Sequence, residues 1–197
     1  MSGADTAPRD QAWVTIDVDL PASEVARFCG DLERLYRINP YLEFHTWHNS
    51  TGGAAVAYRN LSNGRSYEGR FSLQRSSEFD FSVHYERGIK RATRFTIEPL
   101  ASRCRFVITD DYSGVGAEAD LSEVDRSLQA WGAALREYLE REARWGHIGA
   151  WQWYMRRVWV PMKPSARRIT YILLVVTLAE VALAGLVLAV YWVEKLR

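Results

Sequence analysis

The chain has 197 residues, 48% of them apolar and 13% aromatic, with 25 Lys+Arg against 24 Asp+Glu for a formal charge of +1. That balance hides an asymmetry: residues 144–168 hold six Lys/Arg and no acidic residue, residues 169–197 are neutral, and residues 1–143 therefore carry −5. An acidic head excludes nucleic acid as its partner, since phosphate binding needs a basic face, and two cysteines, Cys29 and Cys104, exclude a disulfide framework and read as buried free thiols.

Residues 1–12 are polar and read as a flexible N-terminus; with no basic stretch leading into an apolar run, they do not form a secretory signal. From Trp13 to Leu20 apolar and polar residues alternate, with Val14, Ile16, Val18 and Leu20 on one face, which predicts a half-buried strand. Pro21 suits the first turn of a helix carrying Val25, Phe28 and Cys29, and a second short helix over about Asp31–Ile38 stops at Asn39-Pro40.

Period two then takes over. The runs Leu42–His48, Ala54–Leu61, Arg65–Gln74, Glu78–Glu86, Arg91–Leu100 and Arg103–Tyr112 are separated by turn compositions of hairpin length, and predict a six-strand antiparallel meander. Its apolar face carries Tyr67, Phe71, Leu73, Phe79, Phe81, Val83, Tyr85, Phe95, Ile97, Cys104, Phe106 and Ile108. After the loop Ser113–Asp120 the period becomes helical, with Val124, Leu128, Trp131, Leu135 and Leu139 on one stripe of a long helix from Leu121 to about Trp145. One apolar helix face and one apolar sheet face should cover each other.

This order of elements, with Val14-Thr-Ile-Asp-Val-Asp-Leu-Pro-Ala-Ser-Glu-Val25, Asp31-Leu-Glu-Arg34, Ile38-Asn-Pro40 and Ile108-Thr-Asp-Asp-Tyr-Ser-Gly114, resembles the helix-grip domain of the START and birch-pollen-allergen-like superfamily, often called SRPBCC. The resemblance covers residues 13–145 and implies an α+β fold, a seven-stranded curved antiparallel sheet around a long C-terminal helix. It also implies an apolar cavity for lipids, sterols, quinones or polyketides. In this chain such a cavity would be lined by Tyr58, Tyr67, Phe71, Phe81, Val83, Tyr85, Phe95, Phe106, Leu128, Trp131 and Leu135. Ligand exchange would be gated by the long helix or by the loop Ser113–Asp120.

No catalytic constellation stands out. His45 and His48 lie three apart on a strand, which points them to opposite faces, so no metal and no cofactor is expected. Asp110-Asp111 has two readings, a carboxylate at a cavity mouth or a solvated strand end. Some members of the superfamily are polyketide cyclases and aromatases, and Tyr58, Tyr67, Tyr85 and Arg94 offer polar groups for such a reaction; cavity lining is the competing role.

Residues 146–168 form a basic, Trp-rich collar. On a helix Trp151, Met155 and Trp159 share one broad face, and with Trp145, Arg156, Arg157, Lys163, Arg167 and Arg168 they predict a membrane-interface segment broken by Pro161 and Pro164. Packing of this stripe on the protein's own core is the alternative. Residues 169–192 then run with a single charge, Glu180, long enough to span a bilayer, and leave a five-residue tail, 193–197. By the positive-inside rule the head is expected in the cytoplasm, in a tail-anchored, single-pass topology. Thr177, Glu180, Ala184 and Gly185 form a strip suited to contact with another membrane helix. The expected function is a membrane-anchored binding protein for an apolar small molecule (lipid, hopanoid or sterol, or quinone). The alternatives are an accessory subunit docked into a membrane complex and a cyclase-like enzyme.

Overall fold

A computed structural model of the chain describes residues 10–113 and 126–195. Val124, most of the loop expected as a gate, and the side chain of Arg168 lie outside the described residues. The chain divides into two compact units, Met1–Pro161 and Met162–Arg197.

The first unit is built on one antiparallel sheet. β1 (Gln11–Val18) alternates as its sequence dictates, burying Val14, Ile16 and Val18. α1 (Ala22–Cys29) starts behind Pro21, whose carbonyl accepts the Glu24 and Val25 amides. α2 (Leu32–Arg37) is capped by the Asp31 side chain, which accepts from the Arg34 amide at 3.0 Å. The meander follows as β2 (Leu42–Ser50), β3 (Gly53–Asn60), β4 (Ser66–Arg75), β5 (Asp80–Tyr85), β6 (Ala92–Leu100) and β7 (Arg103–Asp111). The strand order is β1-β7-β6-β5-β4-β3-β2, so the first strand closes on the last and β2 is the far edge.

Two departures from strict alternation have local causes. β5 starts at Asp80, two residues later than the pattern predicts, because the amides of Ser76 and Ser77 both donate to the Asp80 carbonyl and make a turn. In β2 the register slips between Phe44 and Thr46, a β-bulge that turns Phe44 and Trp47 to the same inner face, their rings 5.2 Å apart.

α3 (Leu128–Trp145) lies on the concave face and buries Leu128, Trp131, Gly132, Leu135, Tyr138 and Leu139. The approach to β1 is close: a Cβ on Gly132 would stand 2.7 Å from Val14 Cγ2. Trp131 Nε1 donates to the Leu35 carbonyl at 3.1 Å, tying α3 to α2. Sheet and helix thus bury each other's apolar surface in a helix-grip architecture, the dominant favourable term for this unit.

The collar continues this unit. α4 (Gly149–Tyr154) runs into a π-helical turn, Met155–Trp159. Met155 is 2% exposed within the core, and the Trp159 ring lies 5.7 Å from Tyr138. Trp145, Ile148 and Trp153 remain exposed.

The second unit is α5 (Pro164–Lys195), one helix of 32 residues, long and apolar enough to cross a membrane. At 1.5 Å per residue it is about 48 Å long, against a hydrocarbon core of about 30 Å.

Candidate functional site: a tyrosine-lined pocket on a buried polar chain

Three tyrosines on adjacent strands define the site. Tyr58 of β3 stacks on Tyr67 of β4 with ring centroids 5.1 Å apart, and Tyr67 meets Tyr85 of β5 edge-on at 6.0 Å. Register explains the grouping, since Tyr58 pairs directly with Tyr67 across the ladder. Asn60, Asn63, Arg65 and Ser66 from the end of β3 and the turn into β4 complete one side. Arg87, Gly88, Ile89 and Lys90 from the β5–β6 connection complete the other. Together they enclose a pocket of about 230 Å³. Gly88 has φ of +90°, a conformation that side chains rarely adopt, and it sets the bend of this connection.

Behind Tyr85 runs a chain of hydrogen bonds. Tyr36 and Tyr85 share one of 2.9 Å through their hydroxyls, and Tyr85 and Thr93 share another of 2.9 Å. Thr93 Oγ1 donates to Asp110 Oδ1 at 2.6 Å, and Lys90 Nζ donates to Asp110 Oδ2 at 3.1 Å. Asp110 is fully buried and the Lys90 side chain is 12% exposed. A carboxylate in that position needs its charge offset and its oxygens bonded, which Lys90 and Thr93 supply. Lys90 Nζ also lies 5.3 Å from the Tyr85 ring centroid.

Burial raises the Tyr36 and Tyr85 hydroxyls well above the usual phenol range, reinforced for Tyr36 by its neighbour Tyr85 and for Tyr85 by Tyr58. Burial also raises Tyr67, less strongly. These phenols are neutral donors and acceptors at physiological pH. They can hold a ligand's oxygen or ring without bringing charge to it.

Of the residues expected to line a cavity, Tyr58, Tyr67 and Tyr85 meet at this pocket. Phe71, Phe81, Val83, Phe95, Phe106, Leu128, Trp131 and Leu135 are buried in the core between sheet and helix, where Phe81 stacks on Phe95 at 4.8 Å and Trp131 meets Phe95 edge-on at 5.6 Å. Arg94 stands on the outer face and pairs with Asp80, to whose Oδ1 it donates at 3.0 Å; that contact holds the Asp80 carboxyl below its ordinary range. Arg156 and Arg157 are exposed beside Trp153, while Trp151 and Trp159 pack on the head and Met155 lies inside it. Lys163, Arg167, Thr177, Glu180, Ala184 and Gly185 belong to the second unit, where Thr177, Glu180, Ala184 and Gly185 are exposed along α5.

Sequence reasoning passed over Thr93, Lys90, Tyr36 and the two loops. One signal was present: Asp110 continues the alternate series Cys104, Phe106, Ile108, and Thr93 precedes Phe95 and Ile97 in the same way. A polar residue that keeps an apolar period faces the interior.

No family model and no curated protein matches the sequence. Solved structures do match. A protein from Thermus thermophilus aligns at 15% identity over 69% of this chain and 98% of its own, with a TM-score of 0.51. The di-domain aromatase/cyclase BexL from the BE-7585A biosynthetic pathway aligns at 20% identity over 68% of this chain and 47% of its own, with a TM-score of 0.50. A START superfamily protein from Mycobacterium smegmatis aligns at 17% identity over 68% of this chain and 97% of its own, with a TM-score of 0.49. At these identities the likeness is one of fold: the head of this chain has a helix-grip fold, a seven-stranded antiparallel sheet with a long helix on it, like that of the aligned Thermus thermophilus protein and the BexL aromatase/cyclase.

Proposed function

We propose that the protein is a membrane-anchored binding protein for an apolar small molecule, held by α5 with its head at the cytoplasmic membrane surface. The observation that carries this reading is the tyrosine-lined pocket in the helix-grip head, in a chain that also has a helix long enough to span. A pocket of about 230 Å³ is at the small end for a ligand site, so it takes a ring or one end of a longer molecule such as a quinone, a hopanoid or sterol, or an acyl lipid. Burying apolar ligand surface at about 25 cal/mol per Å² supplies affinity without chemistry. The test is lipid extraction and mass spectrometry of the purified full chain beside a Tyr67→Ala variant. A molecule that co-purifies with the parent and is lost from the variant supports the reading; identical extracts remove it.

A second reading, an accessory subunit docked in a membrane complex, is favoured by Glu180. It stands exposed on α5 with Thr177, Ala184 and Gly185, and a Cβ at Gly185 would meet nothing within 4 Å. A carboxylate at mid-span costs about 2.5–3.5 kcal/mol on the insertion scale, which a helix partner would offset. Glu180→Leu should abolish co-purification of membrane partners; unchanged association removes the subunit reading. A cyclase-like activity would require turnover that disappears in Tyr85→Phe.

A further inference from the structure

Three large apolar side chains of the first unit stay open to solvent along the collar: Trp153 is 63% exposed, Trp145 45% and Ile148 38%. The helical segment that carries Trp153 has two sides. Trp151, Met155 and Trp159 recur every four residues and pack on or within the core, whereas Trp153, Arg156 and Arg157 recur at three and four and stand exposed. Trp145 ends α3 and Ile148 leads into α4; the Trp145 carbonyl accepts the Ile148 amide at 2.9 Å, so both belong to the turn that joins the two helices. Arg144 is exposed beside them in the chain. Residues 144–168 contain no carboxylate, and the acidic residues that precede them, Glu140 and Glu142, are taken by Arg136 at 2.8 Å and Arg34 at 3.2 Å. Among the described residues no carboxylate pairs with Arg144, Arg156 or Arg157.

We infer that this exposed side of the collar docks on a bilayer containing anionic lipid, Trp145, Ile148 and Trp153 entering the headgroup region while Arg144, Arg156 and Arg157 bind lipid phosphates. This rests on the membrane-anchored reading above and adds to it the surface that holds the head down and the lipid it selects. Indole rings favour the headgroup level, where one edge is apolar and the other wet. A guanidinium fork matches a phosphate with two parallel hydrogen bonds. The chain itself favours a bilayer over a soluble partner: α5 begins at Pro164, seven residues after Arg157, and seven residues reach at most about 25 Å. Any membrane that α5 crosses is therefore always at hand. Charge then sets the orientation, because anionic lipid attracts the collar and repels the rest of the head, whose residues 1–143 carry −5.

The test uses the full chain in nanodiscs of phosphatidylcholine alone or with about 30% phosphatidylglycerol, which gives the lipid surface a negative charge. A nitroxide at Ala150→Cys, exposed one turn before Trp153, reads collisions with nickel EDDA, which is confined to water. Cys29 and Cys104 are buried, burial raises both thiols, and they stay unlabelled. The expected result is that nickel collisions fall about threefold on going to the anionic discs, and that either Trp153→Ser or the pair Arg156→Gln and Arg157→Gln cancels the fall. These side chains are exposed, so the variants keep the fold. The protection should shrink as salt rises from about 50 to about 500 mM. A second label, at Leu183→Cys in the apolar run of α5, separates the two levels of the argument. If it excludes nickel while the Ala150→Cys label reads the same in both discs, the inference falls and the membrane-anchored reading stands. If it meets nickel as freely as in water, both fall. Protection that follows the number of chains per disc instead of the anionic lipid shows a second copy on this face and overturns the inference.

Discussion

Thr93 donates to Asp110 over 2.6 Å, and the side chains of both are wholly buried beneath the sheet's concave face. That bond, with the Lys90 contact on the other carboxylate oxygen, lets a charge sit inside the head. Asp110→Leu removes the buried carboxylate that accepts from both Lys90 and Thr93 and should cost about 2–4 kcal/mol in urea unfolding followed by Trp fluorescence. Thr93→Val removes two hydrogen bonds, those of the hydroxyl with Tyr85 and with Asp110, at constant shape and should cost about 1–3 kcal/mol. The double variant Lys90→Met/Asp110→Leu should be more stable than Asp110→Leu alone, because the largely buried cation is removed together with its carboxylate.

The phenols of Tyr36 and Tyr85 carry a pH signature. Their raised folded-state values mean that the unfolded chain ionises first as pH rises. Stability from these two groups is therefore fully present below the ordinary phenol value near 10 and is lost as pH climbs above it. In an absorbance titration of tyrosinate, Tyr36→Phe and Tyr85→Phe should leave the first ionisation step unchanged in amplitude and reduce only the step that coincides with alkaline unfolding.

Gly132 marks where α3 presses on β1. A methyl there would meet Val14 Cγ2 at 2.7 Å and Cγ1 at 3.1 Å, and Val14 is a stiff, buried, β-branched residue. Helix propensity favours Ala over Gly by about 1 kcal/mol, and overpacking costs about 1–3 kcal/mol, so Gly132→Ala should lower stability by about 1 kcal/mol. Adding Val14→Ala should relieve the clash and make the second substitution cheaper on the Gly132→Ala background than on the parent. Thermal unfolding of the four proteins measures this coupling.

Arg34 joins α2 to the end of α3. Its Nε donates to the Tyr138 hydroxyl at 2.8 Å, its terminal guanidinium nitrogen lies 3.2 Å from Glu142, and its guanidinium carbon lies 5.0 Å from the ring centroids of Phe28 and Tyr138. Lysine offers a point charge in place of a planar fork that bonds and stacks at once. Arg34→Lys should cost about 1–2 kcal/mol, and Tyr138→Phe on that background should cost less than on the parent. Urea midpoints at constant slope check both.

Much of the fold is legible in the sequence because period-two alternation fixes which side chains share a sheet face. Val14, Ile16 and Val18, or Cys104, Phe106 and Ile108, need no tertiary information to be read as interior. The same rule places Asp110 and Thr93 inside, once polarity is allowed to continue an apolar series. The long apolar run from Ile169 to Trp192 likewise declares its own length and helicity.

The tertiary structure decided what periodicity cannot carry. A bulge in β2 put Phe44 and Trp47 on one face, although their spacing of three opposes them in a regular strand. The sequence puts Trp151, Met155 and Trp159 on one helical face, and only the tertiary structure showed that face packed on the head, with Met155 buried and Trp159 5.7 Å from Tyr138. Above all, the apolar faces of sheet and helix offer side chains of one kind, and only assembly separates those that fill one another's space from Tyr58, Tyr67 and Tyr85, left at an open pocket. Sequence spacing gives each side chain's direction, whereas a pocket is a property of the volume between elements, set by how two distant loops and three adjacent strands close on it.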